Sequence, residues 1–403
     1  MPRITTEETA TSNATVNNTG NGSREIGFGI IGCGVIGPWH AAAIARVGGA
    51  RLVACADPIK ERAQKCGRGY LDLLKQHNIT KQGGNTAPVT YSSYKALLKR
   101  DDIDVVCICV PSGDHARIGI DAANAGKHIV SEKPLDITLA NMDAFIAAAE
   151  GNNVKLAAIF QRRFDANAIL LKQAIKKGKF GKLLQADCSI KWYRSQDYYD
   201  SGDWRGTWEL DGGGCLMNQG VHGIDMLQWL AGPVAWVQAW CGTTARERIE
   251  VETQAMAIVG FKNGAHGTIQ GSTVCYPGQP IIHEIYGTKG SASLHDSRLN
   301  TWKFQKESDA DRTMLETAND PSAREKGGGD PMAALGGPGE THYPQIKDMV
   351  EAVRENREPA CSGHEARHAV EIILAIYESA RRGGEKIHLP LQYDFPAVGF
   401  PKK

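Results

Sequence analysis

Nothing in these 403 residues approaches the run of roughly 20 apolar side chains that a bilayer-spanning helix needs, so no such helix and no membrane partner is expected. Charge bias is lacking too. With 46 Lys and Arg against 45 Asp and Glu the formal net charge is +1, which leaves no global field to draw in nucleic acid or an acidic surface. Among the ten cysteines there is neither a CxxC pair nor a Cys/His cluster with metal-ligand spacing, so no metal site is expected. They read as reduced core thiols of a cytoplasmic protein, with Cys107 and Cys109 of VVCICV on the same buried side of a strand. Residues 1–24 are rich in Thr, Asn and Gly and have no apolar h-region, twin arginine or Arg-rich amphipathic pattern. They are expected to be a disordered tail.

What is present points to two domains, since this length exceeds what one hydrophobic core usually serves. From Ile26 to about Ile159, short β-rich runs (IGFGIIG, RLVACAD, DVVCICVP, KHIVSE, VKLAAI) alternate with helical stretches. Such alternation implies right-handed βαβ units and a parallel sheet. After QRRF the pattern changes to a helix over 166–177 and longer alternating runs, which predict an open, mostly antiparallel sheet with a helix against it. The expected division is a dinucleotide-binding domain over 25–160 and a substrate-binding and oligomerisation domain over 161–403. Within the second, residues 306–341 are charged and Gly/Pro-rich and predict a long loop or insertion. Helices are expected over 343–355 and 366–381, then a short strand at KIHLPL.

GCGVIG follows the first strand and opens a helix, with Asp57 at the end of the next strand. Gly32 would permit the tight turn, Gly34 the approach of backbone amides to a pyrophosphate, and Gly37 the packing of helix on strand. A lone GxGxxG is weak evidence, but here the strand, helix and acidic residue are all in place. Asp57 can accept both ribose hydroxyls and repels a 2′-phosphate, favouring NAD; nearby Lys60 and Arg62 leave NADP open.

SEKPLDIT ends another expected parallel strand, at the sheet edge where α/β proteins bind ligands, which puts Lys133 near the cofactor. Pro134 fixes the backbone after it, in a cis or trans bond. The alternative is a solvated Lys133 before a helix that Pro134 begins.

Taken together, GCGVIGPWH, VPSGDH, EKP, QRRF and the GGGxxxNxGxH segment stand in the order and spacing of the Gfo/Idh/MocA family of sugar and inositol dehydrogenases, which the chain resembles from Glu25 to Leu391. The resemblance implies an N-terminal Rossmann domain for NAD(P) and a C-terminal α/β domain built on a large open sheet. The lysine of EKP, here Lys133, would be catalytic. The second family site is an Asp and a His four apart, here Asn218 and His222. Cofactor contacts are expected from Gly32, Gly34, Val35, Ile36, Gly37, Asp57, Pro111, His115, Glu132, Lys133 and Arg162. A homodimer or homotetramer would cover the open sheet face, as in similar proteins.

On a helix, Asn218, His222 and Asp225 would form one stripe facing a cleft, beside the apolar stripe of Val221, Ile224 and Leu227. The glycines at 212–214 would let the backbone approach a ligand closely. Oxidising a secondary alcohol needs a base near the hydroxyl, and Lys133 and His222 are expected to share that work. Asn218 departs from the Asp pattern. An amide orients a hydroxyl but takes no proton.

YRSQDYYDSGDWRGTW supplies aromatic faces and hydrogen-bonding groups suited to a carbohydrate wall, with Arg163, Tyr199, Trp204 and Arg205 as further substrate contacts beside Lys133, Asn218 and His222. Strand-edge and interface aromatics are the bland alternative. The leading expectation is NAD-dependent oxidation of a ring hydroxyl, C3 among the candidates, of a pyranose or glycoside. An asparagine in place of the aspartate also resembles branches acting on UDP-N-acetyl-hexosaminuronic acids at C3. Redox-assisted glycoside cleavage and a non-catalytic NAD-binding regulator are the remaining readings.

Overall fold

The structure is a computed structural model that describes residues 24–318 and 340–392. The expected tail, apart from Arg24, and residues 319–339 of the expected insertion lie outside the described residues.

Five βα units build the first half. They are β1 (Ile26–Ile31) with α1 (Gly37–Arg46), β2 (Ala50–Ala56) with α2 (Lys60–Gln76), β3 (Val89–Tyr91) with α3 (Tyr94–Leu98), β4 (Val105–Ile108) with α4 (His115–Asn124), and β5 (His128–Ser131) with α5 (Leu139–Gly151); β6 (Leu156–Ala158) closes the set. All six strands pair in parallel, in the order β3-β2-β1-β4-β5-β6. Helices on both faces bury the strands on both sides, which is why β1 and β4 carry apolar or small residues throughout rather than an alternating pattern. The strand order reverses between β1 and β4, and that crevice is where an open α/β sheet takes a ligand.

The second half begins with α6 (Ala166–Lys176), β7 (Leu183–Lys191) and the short α7 (Gln196–Asp200). Then come α8 (Val221–Ala231), β8 (Val234–Gly242), β9 (Gln254–Phe261), β10 (His266–Ser272), β11 (Ile282–Gly287), β12 (Gly290–His295) and β13 (Arg298–Phe304). The chain finishes with α9 (Asp309–Ala318), α10 (Tyr343–Glu355), α11 (Gly363–Arg381) and β14 (Ile387–His388). Eight strands form one sheet in the order β13-β12-β11-β7-β10-β9-β8-β14, antiparallel except for the β7–β10 pair. Its inner face is covered by α8 and α11. Its outer face leaves Trp240, Met256 and Ile258 at 45%, 54% and 54% exposure.

Three features differ from the sequence reading. The charged stretch taken as loop contains α9, where Asp311 accepts bonds from Ser308 and from the Trp302 indole and so ties the helix to β13. The hairpin β12–β13 was not anticipated; its mix of Ser, His, Arg and Asn hides the alternation of Ala292, Leu294, Leu299 and Trp302 that are buried. Helix α10 belongs to the core of the first domain, where Ile346, Met349 and Val350 pack with residues of α1 and α2.

Candidate active site

The glycine loop between β1 and α1 meets the cofactor reading residue by residue. Gly32 has φ +91°, and a Cβ there would lie 2.5 Å from the Cys109 carbonyl; a Cβ on Gly37 would lie 2.4 Å from the Gly32 carbonyl. A Cβ on Gly34 would meet nothing within 4 Å, so what its absence preserves is open space, as a pyrophosphate cradle requires. Val35 projects into solvent at 71% exposure and Ile36 is half-buried behind it. Asp57, at the end of β2, accepts the Cys33 and Ile59 amides, each at 2.8 Å, and each of its oxygens keeps a lone pair for a ribose hydroxyl. Lys60 and Arg62 are exposed just beyond it, and Pro111 opens the short turn after β4. The residues present therefore fit a dinucleotide. Folding also brings the buried thiols of Cys33, Cys55 and Cys66 within 4.8 Å of one another beneath this loop.

Lys133 leaves the end of β5 through a cis bond to Pro134. It is half-buried, and its Nζ donates to the Asn218 carbonyl at 2.7 Å. Burial lowers its pKa from the usual lysine range, with Arg194 and Arg205 acting in the same direction and Glu132 and Asp211 opposing. Glu132 beside it was expected to touch cofactor, yet its Oε1 is held by His40 Nε2 at 2.8 Å and His342 Nε2 at 3.1 Å. Burial resists that charge, but the two imidazoles outweigh it and hold the carboxyl well below the usual range. Glu132 thus anchors the backbone of Lys133.

Residues Cys215–Gly220 form a π-helical turn that runs into α8, so the stripe expected from a regular helix is broken at its start. Asn218 and His222 remain on the side of Lys133. Asp225 does not: it is 2% exposed and forms a bidentate pair with Arg163 at 2.6 and 2.7 Å. The glycines also have another reason. A Cβ on Gly212 would strike Ile137, on Gly213 the Tyr377 hydroxyl, and on Gly214 the Glu252 carbonyl, so protein packing accounts for all three. Burial first, then the charges of Lys133 and Arg162, push His222 well below the usual histidine value; its Nδ1 is buried without a partner.

Four expected contacts are placed elsewhere. Arg163 is spent on Asp225 and Glu365, a commitment that leaves no free edge for substrate. Tyr199 is 5% exposed with its hydroxyl on Thr273. Arg162 is buried and pairs with Asp296 in the β12–β13 hairpin, while its Nε is buried without a partner and its charge acts on His222. His115 is 1% exposed, with its ring nitrogens 2.6 Å from the Pro134 carbonyl and 2.8 Å from the Val110 carbonyl, so it clamps the loop before Lys133.

The wall itself is built by Tyr198, Arg194, Arg205 and Gln219, of which only Arg205 was expected. Arg205 and Gln219 donate to the Tyr198 hydroxyl at 2.7 and 3.1 Å, and the guanidinium groups of Arg194 and Arg205 lie 5.0 and 4.3 Å from the Tyr198 ring centre. Trp204 stacks on Arg205 from the other side. Arg246 donates to the Arg194 carbonyl. Among the described residues none of Arg194, Arg205 and Arg246 meets a carboxylate, and Arg194 Nε, Arg205 Nε and Gln219 Oε1 are buried without partners. Buried polar atoms left open in a cleft are what an incoming polar ligand satisfies. Asp211, missed in the sequence although it directly precedes the glycine run, accepts from Asn218 Nδ2 at 2.5 Å and from the Gly206 amide at 2.9 Å.

Comparison with known proteins finds relatives over both halves of the chain. Residues 26–160 match the model of an oxidoreductase family with an NAD-binding Rossmann fold, and residues 169–293 that of the GFO/IDH/MocA C-terminal domain. Levoglucosan dehydrogenase of Pseudarthrobacter phenanthrenivorans is 30% identical over 72% of this chain and 81% of its own. An uncharacterised oxidoreductase, YrbE of Bacillus subtilis, is 27% identical over 90% and 96%. Among solved structures, the WlbA dehydrogenase of Bordetella pertussis with NADH and UDP-GlcNAcA superposes with a TM-score of 0.75 at 32% identity, covering 92% of this chain and all of that one.

Proposed function

As a chain that belongs to the Gfo/Idh/MocA oxidoreductase family and carries its NAD-binding Rossmann domain, we propose, it is a dehydrogenase that oxidises a secondary ring hydroxyl of a pyranose sugar. The observation that carries the reading is the position of Lys133 Nζ, bound to Asn218 between the cofactor crevice and the arginine-lined wall.

Bound NAD⁺ supplies the hydride acceptor. Lys133, with its pKa lowered by burial, takes the hydroxyl proton as the carbinol carbon gives up hydride. Burial and the charges of Lys133 and Arg162 lower the proton affinity of His222, so it orients the hydroxyl rather than sharing the acid-base work equally. Asn218 and the wall fix which carbon faces the nicotinamide. Phe160, edge-on to His222 with ring centres 6.0 Å apart, keeps that side apolar.

Within this class Arg194, Arg205 and Arg246, none of which pairs directly with a carboxylate among the described residues, favour an anionic pyranose, and the relative solved with UDP-GlcNAcA supports a nucleotide-linked hexuronate oxidised at C3 over a neutral glycoside. The test is NADH absorbance from purified protein with NAD⁺ and a panel of free sugars, inositols, glycosides and UDP-linked sugars and uronates. NADH with UDP-uronates alone selects the anionic version, and NADH with neutral sugars alone removes it. Glycoside cleavage without NADH would indicate internal redox cycling. No turnover despite tight NAD binding would replace the enzyme with a binding protein.

A further inference from the structure

Resting on the dehydrogenase reading above, we propose that Asp211 is the active-site carboxylate of this chain: it fixes the amide of Asn218 so that the carbonyl oxygen Oδ1 faces a substrate hydroxyl. The helix position that resembles an Asp in the family is Asn218 here, and the charge that position lacks is found at its tip. Asn218 Nδ2 donates to Asp211 Oδ1 at 2.5 Å. Asp211 is itself fixed: it is 2% exposed, and its Oδ2 accepts the Gly206 amide at 2.9 Å. An amide whose NH2 is tied down offers only its oxygen to a ligand. That oxygen accepts from a substrate hydroxyl next to the reacting one and so orients the ring, leaving the reacting O–H pointed at Lys133.

The same geometry suits an amide at position 218. Two carboxylates 2.5 Å apart cannot both ionise. With the carboxylate supplied from the loop before Gly212, the helix position must be its hydrogen-bond donor.

Charge reaches Lys133 from several sides. Glu132 and Asp211 raise its proton affinity, while Arg194 and Arg205 lower it. Asp211 in turn faces Lys133 and Arg205, and burial keeps its pKa at about 6. His222 faces the same set, and burial disfavours its charged form. Below pH 6 the protonation of Asp211 removes an anion from this set, and Lys133 then loses its proton more readily. Asp211 acts through Asn218 and Lys133 and is a positioning residue.

The experiment uses the whole protein and the variants D211N, N218D and the exchange D211N/N218D. D211N must keep an oxygen on the Gly206 amide, which sets NH2 against NH2 and turns Asn218 over, so a donor faces the substrate. Each single variant is expected to lower kcat by about 10-fold or more with NAD affinity unchanged, and the exchange to recover most of it, because it restores one amide and one carboxylate. A second measurement needs no substrate: labelling of Lys133 by an amine-selective acylating reagent against pH, read by peptide mass. D211N is expected to move the midpoint down by about one pH unit. An unchanged kcat and midpoint in D211N, or an exchange no better than the single variants, would overturn the proposal. Absence of NADH from the unmodified protein would instead remove the dehydrogenase reading, and the labelling midpoint would still decide the role of Asp211.

Discussion

His342 donates from Nε2 to Oε1 of Glu132 across 3.1 Å, tying the start of α10 to the residue just before Lys133. The contact crosses 210 positions of sequence, and it explains why a helix from the end of the chain packs in the first domain. Removing His342 takes away one of the two imidazoles that hold the buried Glu132 charge, and removing the charge weakens the bond to both imidazoles. His342→Ala and Glu132→Gln should each cost about 1–3 kcal/mol in urea unfolding. The double variant should cost clearly less than the sum, since no charge is then stranded. Strict additivity would mean that the bond does not contribute.

Lys133→Ala should lower turnover by about 10²–10⁴-fold while leaving NAD affinity intact, because its Nζ is bound to the Asn218 carbonyl rather than to the glycine loop. His222→Gln, which keeps hydrogen bonding but no basicity, should lose less than Lys133→Ala if His222 only orients the hydroxyl. Comparing kcat for both variants on the same substrate checks the division of labour. Equal losses would return His222 to an equal share in proton transfer.

Much of this site was legible in the sequence, and the failures share a cause. The glycine loop, Asp57, Lys133, Asn218 and His222 declare themselves because each sits at a fixed offset from a strand or in a dense motif. Arg163, Tyr199 and Asp225 were of the right chemical type in the right stretch, but a polar side chain in an irregular segment is as readily consumed by a buried partner as offered to a ligand. Which of Tyr198 and Tyr199 faces the cleft is decided by the one turn of α7, and no periodicity reaches over five residues. The glycines at 212–214 were recognised as necessary, yet the atoms that demand them, on Ile137, Tyr377 and Glu252, come from distant elements.

Glu252 carries a pH prediction. It is fully buried beneath the π-helical turn, accepting the Gly214 amide at 2.8 Å, the Leu216 amide at 2.9 Å and the Tyr377 hydroxyl at 2.9 Å. Burial outweighs those donors and raises its pKa to about 7. An acid raised on folding favours the folded state at low pH and loses that contribution as pH climbs from the unfolded value through 7. The unfolding free energy of the unmodified protein minus that of Glu252→Gln should therefore fall by on the order of 3 kcal/mol between pH 4.5 and pH 8. Denaturant titrations at the two pH values measure it, and a constant difference would show that Glu252 stays ionised.

The outer face of the large sheet should be an interface between copies of this chain. Trp240 and Met256 are direct cross-strand partners on β8 and β9, with Ile258 two residues along, and all three are exposed. Contiguous apolar surface of this kind on a sheet is covered in stable proteins. Ile258→Lys should convert a dimer or tetramer to a smaller species in light scattering, with far-UV CD unchanged. A monomer before any substitution would leave the face without this role.

Asp57 should decide between the two nicotinamide dinucleotides, and the choice of variant matters because the side chain has two jobs. Its oxygens accept the Cys33 and Ile59 amides, so Asp57→Ala would strand two N–H groups and disturb the glycine loop as well as the ribose contact. Asp57→Asn keeps an acceptor and removes the charge that repels a 2′-phosphate, while the exposed Lys60 and Arg62 remain to attract one. The ratio of kcat/KM for NAD over NADP should then drop by about 10- to 100-fold, mostly through a gain with NADP if repulsion dominates and through a loss with NAD if the lost hydroxyl bonds dominate. Measuring both cofactors with one substrate separates the two effects. An unchanged ratio would mean that the carboxylate is spent on the loop amides and that selectivity lies elsewhere.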